Sequence, residues 1–140
     1  MPGLYFEDLR IGQGASMLRT VTEADVIAFA AVSGDENPVH LDEAYAAQTA
    51  FKTRIAHGML SASYISALLG TRLPGPGAIY LSQSLNFRRP VRLGVTVEAR
   101  VEITALDPSK SRVTLDCVCN VEGKTVLEGQ AVVLAPRRGA

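Results

Sequence analysis

The stretch GMLSASYISALLGT, residues 58–71, decides the fold. Met59, Leu60, Ala62, Ile65, Ala67, Leu68 and Leu69 leave it without a charged face, and a helix apolar on nearly every side is buried all round. Its small residues, Ser61, Ala62, Ser63, Ser66 and Ala67, let other elements approach closely. Leu73-Pro74-Gly75-Pro76-Gly77 stops it. Such a helix needs a wrapper.

The second half of the chain supplies one. Ile79, Leu81, Leu85 and Phe87 alternate with Tyr80, Ser82, Ser84 and Asn86. Val95, Val97, Ala99, Val101 and Ile103 alternate with Thr96, Glu98, Arg100, Glu102 and Thr104, the cleanest period-two signal present. Asp107-Pro108-Ser109-Lys110 reads as a turn, Val113 to Val121 as a strand, Glu122-Gly123-Lys124 as a hairpin and Thr125 to Leu134 as the closing strand. The polar alternates can face solvent, so one face of an antiparallel sheet is free to wrap the helix. The class is α+β.

Ahead of the helix the signals are mixed. Residues 1–20 read as a loose lead-in followed by a strand near Ala15 to Thr20. Thr22 caps a helix over Glu23 to Ser33, ended by Gly34. Pro38 lacks an N–H and restricts Asn37, so the segment from Asp35 to His40 is expected to be non-helical. Asp42 caps a short helix over Glu43 to Gln48. Phe51 to Ala56 is irregular, and Pro136 to Ala140 is expected to fray.

A chain of 140 residues with 47% hydrophobic and 20% charged content is one soluble globular domain, residues 1–140. Its formal net charge of zero argues against nucleic-acid binding. No signal peptide or membrane-length apolar run is visible. Cys117 and Cys119 fall on one strand face, poorly placed to bridge each other, so reduced core thiols and a cytoplasmic location are expected. No metal site is expected, since the ligands zinc would need are not at hand.

Two polar islands carry the chemistry. One is Gly34-Asp35-Glu36-Asn37-Pro38-Val39-His40; the other is His57-Gly58. His40 can exchange a proton near neutral pH, and Asp35 can orient it or share a water with it. Gly58 offers an unpaired N–H at the positive end of a helix, where an oxyanion would be stabilised. From the residues alone, packing and catalysis both stand as readings of Gly58 and of the two histidines. No nucleophile elbow, dinucleotide fingerprint or P-loop occurs. Arg88 and Arg89 read either as a solvated strand end or as contacts to the phosphates of a carrier group.

These islands resemble a known family. Gly34 to His40 is similar to the D-x-N-P-x-H motif of the MaoC-like, (R)-specific enoyl-CoA hydratases, and Ala56-His57-Gly58-Met59-Leu60 to the family's V/A-H-G-M/L segment. Leu73 to Leu81 and Leu85 to Val91 match later landmarks; Gly94-Val95 departs from the Gly-Asp often found there. The resemblance implies a hot-dog fold, a homodimer, an acyl-CoA thioester substrate and no cofactor. It implies that Asp35 and His40 activate the water added at C3, that the Gly58 N–H receives the thioester oxygen, and that Ser66 helps orient the pair. His57, Asn37, Arg88 and Arg89 complete the expected substrate-binding set. The expected reaction is reversible syn hydration of a trans-2-enoyl-CoA to the (R)-3-hydroxyacyl-CoA. A hot-dog thioesterase, a 3-hydroxyacyl-carrier-protein dehydratase and a non-catalytic acyl binder are the alternatives.

Overall fold

A reciprocal cap starts the first long helix. Thr22 Oγ1 accepts the Asp25 N–H at 3.1 Å and Asp25 Oδ2 accepts the Thr22 N–H at 3.0 Å, so both backbone donors are met locally. This helix, α1 (Glu23–Ser33), follows strand β1 (Gly14–Thr20). It closes at Gly34, whose φ of 81° lies in the left-handed region. The structure, a computed structural model, describes residues 2–139.

The proline segment departs from its expectation. Pro38–Leu41 form a one-turn helix, α2, with Pro38 at its first position. There a missing N–H costs nothing and the fixed φ is already helical. Asn37 caps the turn by accepting the Val39 N–H at 3.1 Å. His40 is therefore helical, and only residues 34–37 are irregular. A second short helix, α3 (Glu43–Ala47), is capped by Asp42 as expected.

The central helix, α4 (Gly58–Thr71), lies against an antiparallel sheet. The remaining strands are β2 (Ile79–Gln83), β3 (Asn86–Phe87), β4 (Thr96–Asp107), β5 (Arg112–Val121) and β6 (Lys124–Leu134). Their order is β1-β4-β5-β6-β2, with β3 also paired to β6. The alternation across 79–87 is thus two strands rather than one. The break falls where Ser84 crosses Gly129 of β6: a Cβ on Gly129 would lie 1.8 Å from the Ser84 carbonyl oxygen.

The core follows the period-two pattern. Val97, Ala99, Val101 and Ile103 of β4 and Val113, Leu115, Cys117 and Cys119 of β5 are buried in one cluster with Ile65, Leu68 and Leu69 of α4. Burying each large aliphatic side chain contributes roughly 1.5–3 kcal/mol. Both cysteines are free thiols in this core.

Two expectations fail at the edges of this arrangement. First, α4 is not buried all round: Met59 is 54% exposed, and Ser63, Ser66 and Gly70 continue that exposed strip. One sheet covers one side of a helix, and positions 59, 63, 66 and 70 turn away from it. Second, the segments 4–8 and 136–138 are tied down. Leu4 donates to the Pro74 carbonyl and Phe6 to that of Pro136, each at 2.8 Å. Arg138 holds both oxygens of Asp8, at 2.8 and 3.0 Å, and this pairing keeps the Asp8 carboxyl below its ordinary range. Fraying expected over 136–140 is therefore not seen for Pro136 to Arg138, and Ala140 lies outside the described residues.

Candidate active site

A cavity of about 750 Å³ opens beside the start of α4. Asp35 and His40 from one segment and His57 and Gly58 from another all line it. One potential ligand atom from each of Asp35, His40 and His57 lies within 4.8 Å of the others. A single water can hydrogen-bond across such a gap.

Main-chain carbonyls fix which nitrogen of each imidazole carries a hydrogen. His40 is 8% exposed, and its Nδ1 lies 2.7 Å from the Ile55 carbonyl oxygen. A carbonyl only accepts, so Nδ1 carries the hydrogen and Nε2 of the neutral ring holds a free lone pair. His57 is 2% exposed and donates through Nε2 to the Asp35 carbonyl at 2.9 Å. The two rings stack, centroids 3.8 Å apart, and Phe29 tilts against His57 at 4.9 Å.

Asp35 is exposed at the head of its loop. Its N–H donates to Ser33 Oγ at 3.1 Å and its Oδ1 accepts the Asn37 N–H at 3.2 Å. Among the described residues, Oδ2 has no hydrogen-bond partner. The Gly58 N–H, first in α4, likewise meets no acceptor there. That donor sits at the positive end of a 14-residue helix. A Cβ on Gly58 would lie 2.5 Å from Cε1 of Phe87, so glycine is what lets that ring settle over the helix start.

The other expected residues divide. Arg88 and Arg89 line the cavity, with their guanidinium groups engaged: Arg88 pairs with Glu128 at 2.6 Å and Arg89 donates to the Thr125 carbonyl at 2.7 Å. Asn37 is not a wall of the cavity; its side-chain oxygen caps α2. Ser66 is on the exposed strip of α4 and is not a wall either. The serine that α4 does present is Ser61, 2% exposed, whose Oγ has no partner. In the sequence Ser61 stands out only as one of the small residues of the helix.

Arg54 was also missed. Its Nε donates to the His40 carbonyl at 2.8 Å while its Nη1 pairs with Glu23 at 2.6 Å, bracing α2 against α1. The irregular 53–56 segment is a strut: Ile55 donates to the Val39 carbonyl at 3.2 Å and Ala56 to that of Val91 at 2.7 Å. No periodicity announces such a segment.

The MaoC-like domain model matches residues 11–125. This chain belongs to the MaoC-like family. An (R)-specific enoyl-CoA hydratase of Rhodospirillum rubrum is 58% identical over 135 residues, covering 96% of this chain and 94% of that protein. The unliganded R-hydratase PhaJ1 of Pseudomonas aeruginosa superposes with a TM-score of 0.92 at 48% identity, over 97% of this chain and 88% of the other. The (R)-hydratase of Aeromonas caviae involved in PHA biosynthesis gives 0.91 at 49% identity, over 93% and 99%. The sheet wrapped on α4 is thus the hot-dog fold of MaoC-like proteins.

Proposed function

We propose that this member of the MaoC-like family is an (R)-specific enoyl-CoA hydratase, a hydro-lyase adding water reversibly to trans-2-enoyl-CoA. One observation carries the reading. The carboxylate of Asp35 and the free Nε2 of His40 share a cavity with an unpaired helix-start amide. Hydration of an enoyl thioester needs those three things together: a held water, a proton acceptor, and a donor for the oxygen that gains charge.

In the forward direction a water sits between Asp35 and His40. As its oxygen bonds to C3, His40 Nε2 takes its proton, and the C2–C3 π electrons move toward the thioester oxygen. The Gly58 N–H stabilises that enolate. The proton then goes from the same pair to C2, on the face where oxygen was added, so addition is syn. The sum is one water consumed and one (R)-3-hydroxyacyl-CoA formed. The names of the relatives support the (R) outcome and the coenzyme A carrier. Phosphate contact by Arg88 and Arg89 at the cavity is part of the proposal; substrate contact by Asn37 and His57 is not, since Asn37 Oδ1 caps α2 away from the cavity wall and His57 Nε2 is spent on the Asp35 carbonyl.

We assign no metal or redox cofactor, because proton transfer and one hydrogen bond suffice for this chemistry. Dialysis against a chelator is expected to leave the hydration rate unchanged. Among the described residues no helix is long and apolar enough to cross a membrane; a cytoplasmic location fits an acyl-CoA substrate. A homodimer is proposed as well: the exposed strip of α4, on which Ser66 lies, offers a face for a second copy.

The test is direct. Crotonyl-CoA mixed with the protein should lose the absorbance of its conjugated thioester without releasing free thiol. Thiol release would identify a thioesterase instead, and an unchanged spectrum would leave only an acyl binder. Reaction of the carrier-protein thioester in preference to the coenzyme A one would identify a carrier-protein dehydratase.

A further inference from the structure

We propose that His57 is a positioning residue that holds the three parts of the site in register: the Asp35 loop, the His40 ring and the Gly58 amide. The inference rests on the hydratase reading. Each part touches His57 in a different way. Its Nε2–H donates to the Asp35 carbonyl at 2.9 Å, fixing the main chain from which the carboxylate projects. Its ring face stacks on His40 at 3.8 Å, so with the Ile55 carbonyl on Nδ1 the His40 imidazole is held both in plane and from one side. Its own carbonyl group forms the peptide bond to Gly58, so the direction of that N–H follows the His57 backbone, at ψ 136° before the helix begins.

Ordinary core packing does not explain the choice of residue. With the hydrogen on Nε2, the Nδ1 atom is a bare acceptor, and it is buried without a partner. An unmet buried acceptor costs free energy. A phenyl ring would fill the same space and stack on His40 without that cost, but it would lose the bond to Asp35. Nor does His57 cap its own helix with its side chain, the commonest structural use of a polar residue at that position. Its polar atom is spent across the site, on a loop 22 residues away.

Two substitutions separate the contacts. His57→Phe keeps a stacking ring and removes the donor; His57→Gln keeps a donor and removes the ring. With crotonyl-CoA, each should lower kcat by roughly 10- to 100-fold while KM stays near wild type, because a shift of about an ångström in catalytic groups costs that much. His57→Phe should melt at or above the wild-type temperature. Wild-type kcat in His57→Phe would mean packing alone and would overturn the proposal. A raised KM with kcat retained would overturn it in favour of direct substrate contact. The ring nitrogens of the unmodified protein give an independent check by ¹⁵N NMR: hydrogen on Nε2 of His57 and on Nδ1 of His40 is expected, and the reverse tautomers would refute the geometry even if a variant failed to fold. Wild-type protein that does not hydrate crotonyl-CoA at all would remove the underlying reading, and this inference with it.

Discussion

The sheet and the strap that runs from Ser33 to Gly58 are held together by different physics. In β4, β5 and β6 the hydrogen bonds are main chain to main chain, and alternate side chains go to one core. In the strap, single side chains reach across to single carbonyls: His40 to Ile55, His57 to Asp35, Arg54 to His40. The sheet bonds are many and mutually redundant. Each strap bond is unique, so losing one moves one group by a small distance. A sheet tolerates that; a catalytic arrangement does not. Changes in the strap should therefore appear in turnover, and changes in the sheet core in stability.

The largest expected effect tests the strap. Asp35→Ala or His40→Ala should each lower kcat by roughly 10²–10⁴-fold with little change in melting temperature, the range for positioned acid–base groups. A normal rate in either variant would remove that residue from the mechanism. The mirror image is Leu68→Ala, a fully buried position in the last turns of α4. It should cost about 2–5 kcal/mol in denaturant unfolding, while the kcat of the folded fraction stays close to wild type. A selective loss of kcat there would break the division between the two regions.

Arg54→Ala should fall between these, lowering kcat by about tenfold through the released α2 turn, with the melting temperature nearly kept. The smallest response belongs to the thiols. Burial pushes Cys117 up to about 11 and Cys119 up to about 12. Almost no thiolate exists at pH 8, so a colourimetric thiol reagent should react only after denaturant is added. Rapid reaction in the native protein would show that the sheet core opens more readily than its packing implies.

Legibility in the sequence follows the same division. The sheet could be read because its physics is periodic: β4 and β5 alternate in sequence as they do in burial. The alternation over 79–87 does not reveal its interruption, which depends on a close approach between Ser84 and Gly129, 45 residues apart, that no local pattern encodes. The helix at Pro38 is hard to read because proline both breaks helices and starts them, and only the Asn37 cap shows which holds here. Asp35, His40 and Gly58 were legible as a motif. Arg54 and Ser61 were not, since the meaning of each lies in a partner, or the lack of one, that only the folded chain supplies. The exposed strip of α4 was misjudged for a related reason: the sequence shows that the helix is apolar, but not how much of it a single sheet can cover.

The proposed hydration requires Asp35 and His40 to hold one water opposite the Gly58 amide. A crystal structure with bound 3-hydroxybutyryl-CoA tests it most directly. The 3-hydroxyl is expected within hydrogen-bond distance of both the Asp35 carboxylate and His40 Nε2, with the thioester oxygen on the Gly58 N–H. A hydroxyl that touches neither side chain, or a thioester oxygen held elsewhere, would contradict it.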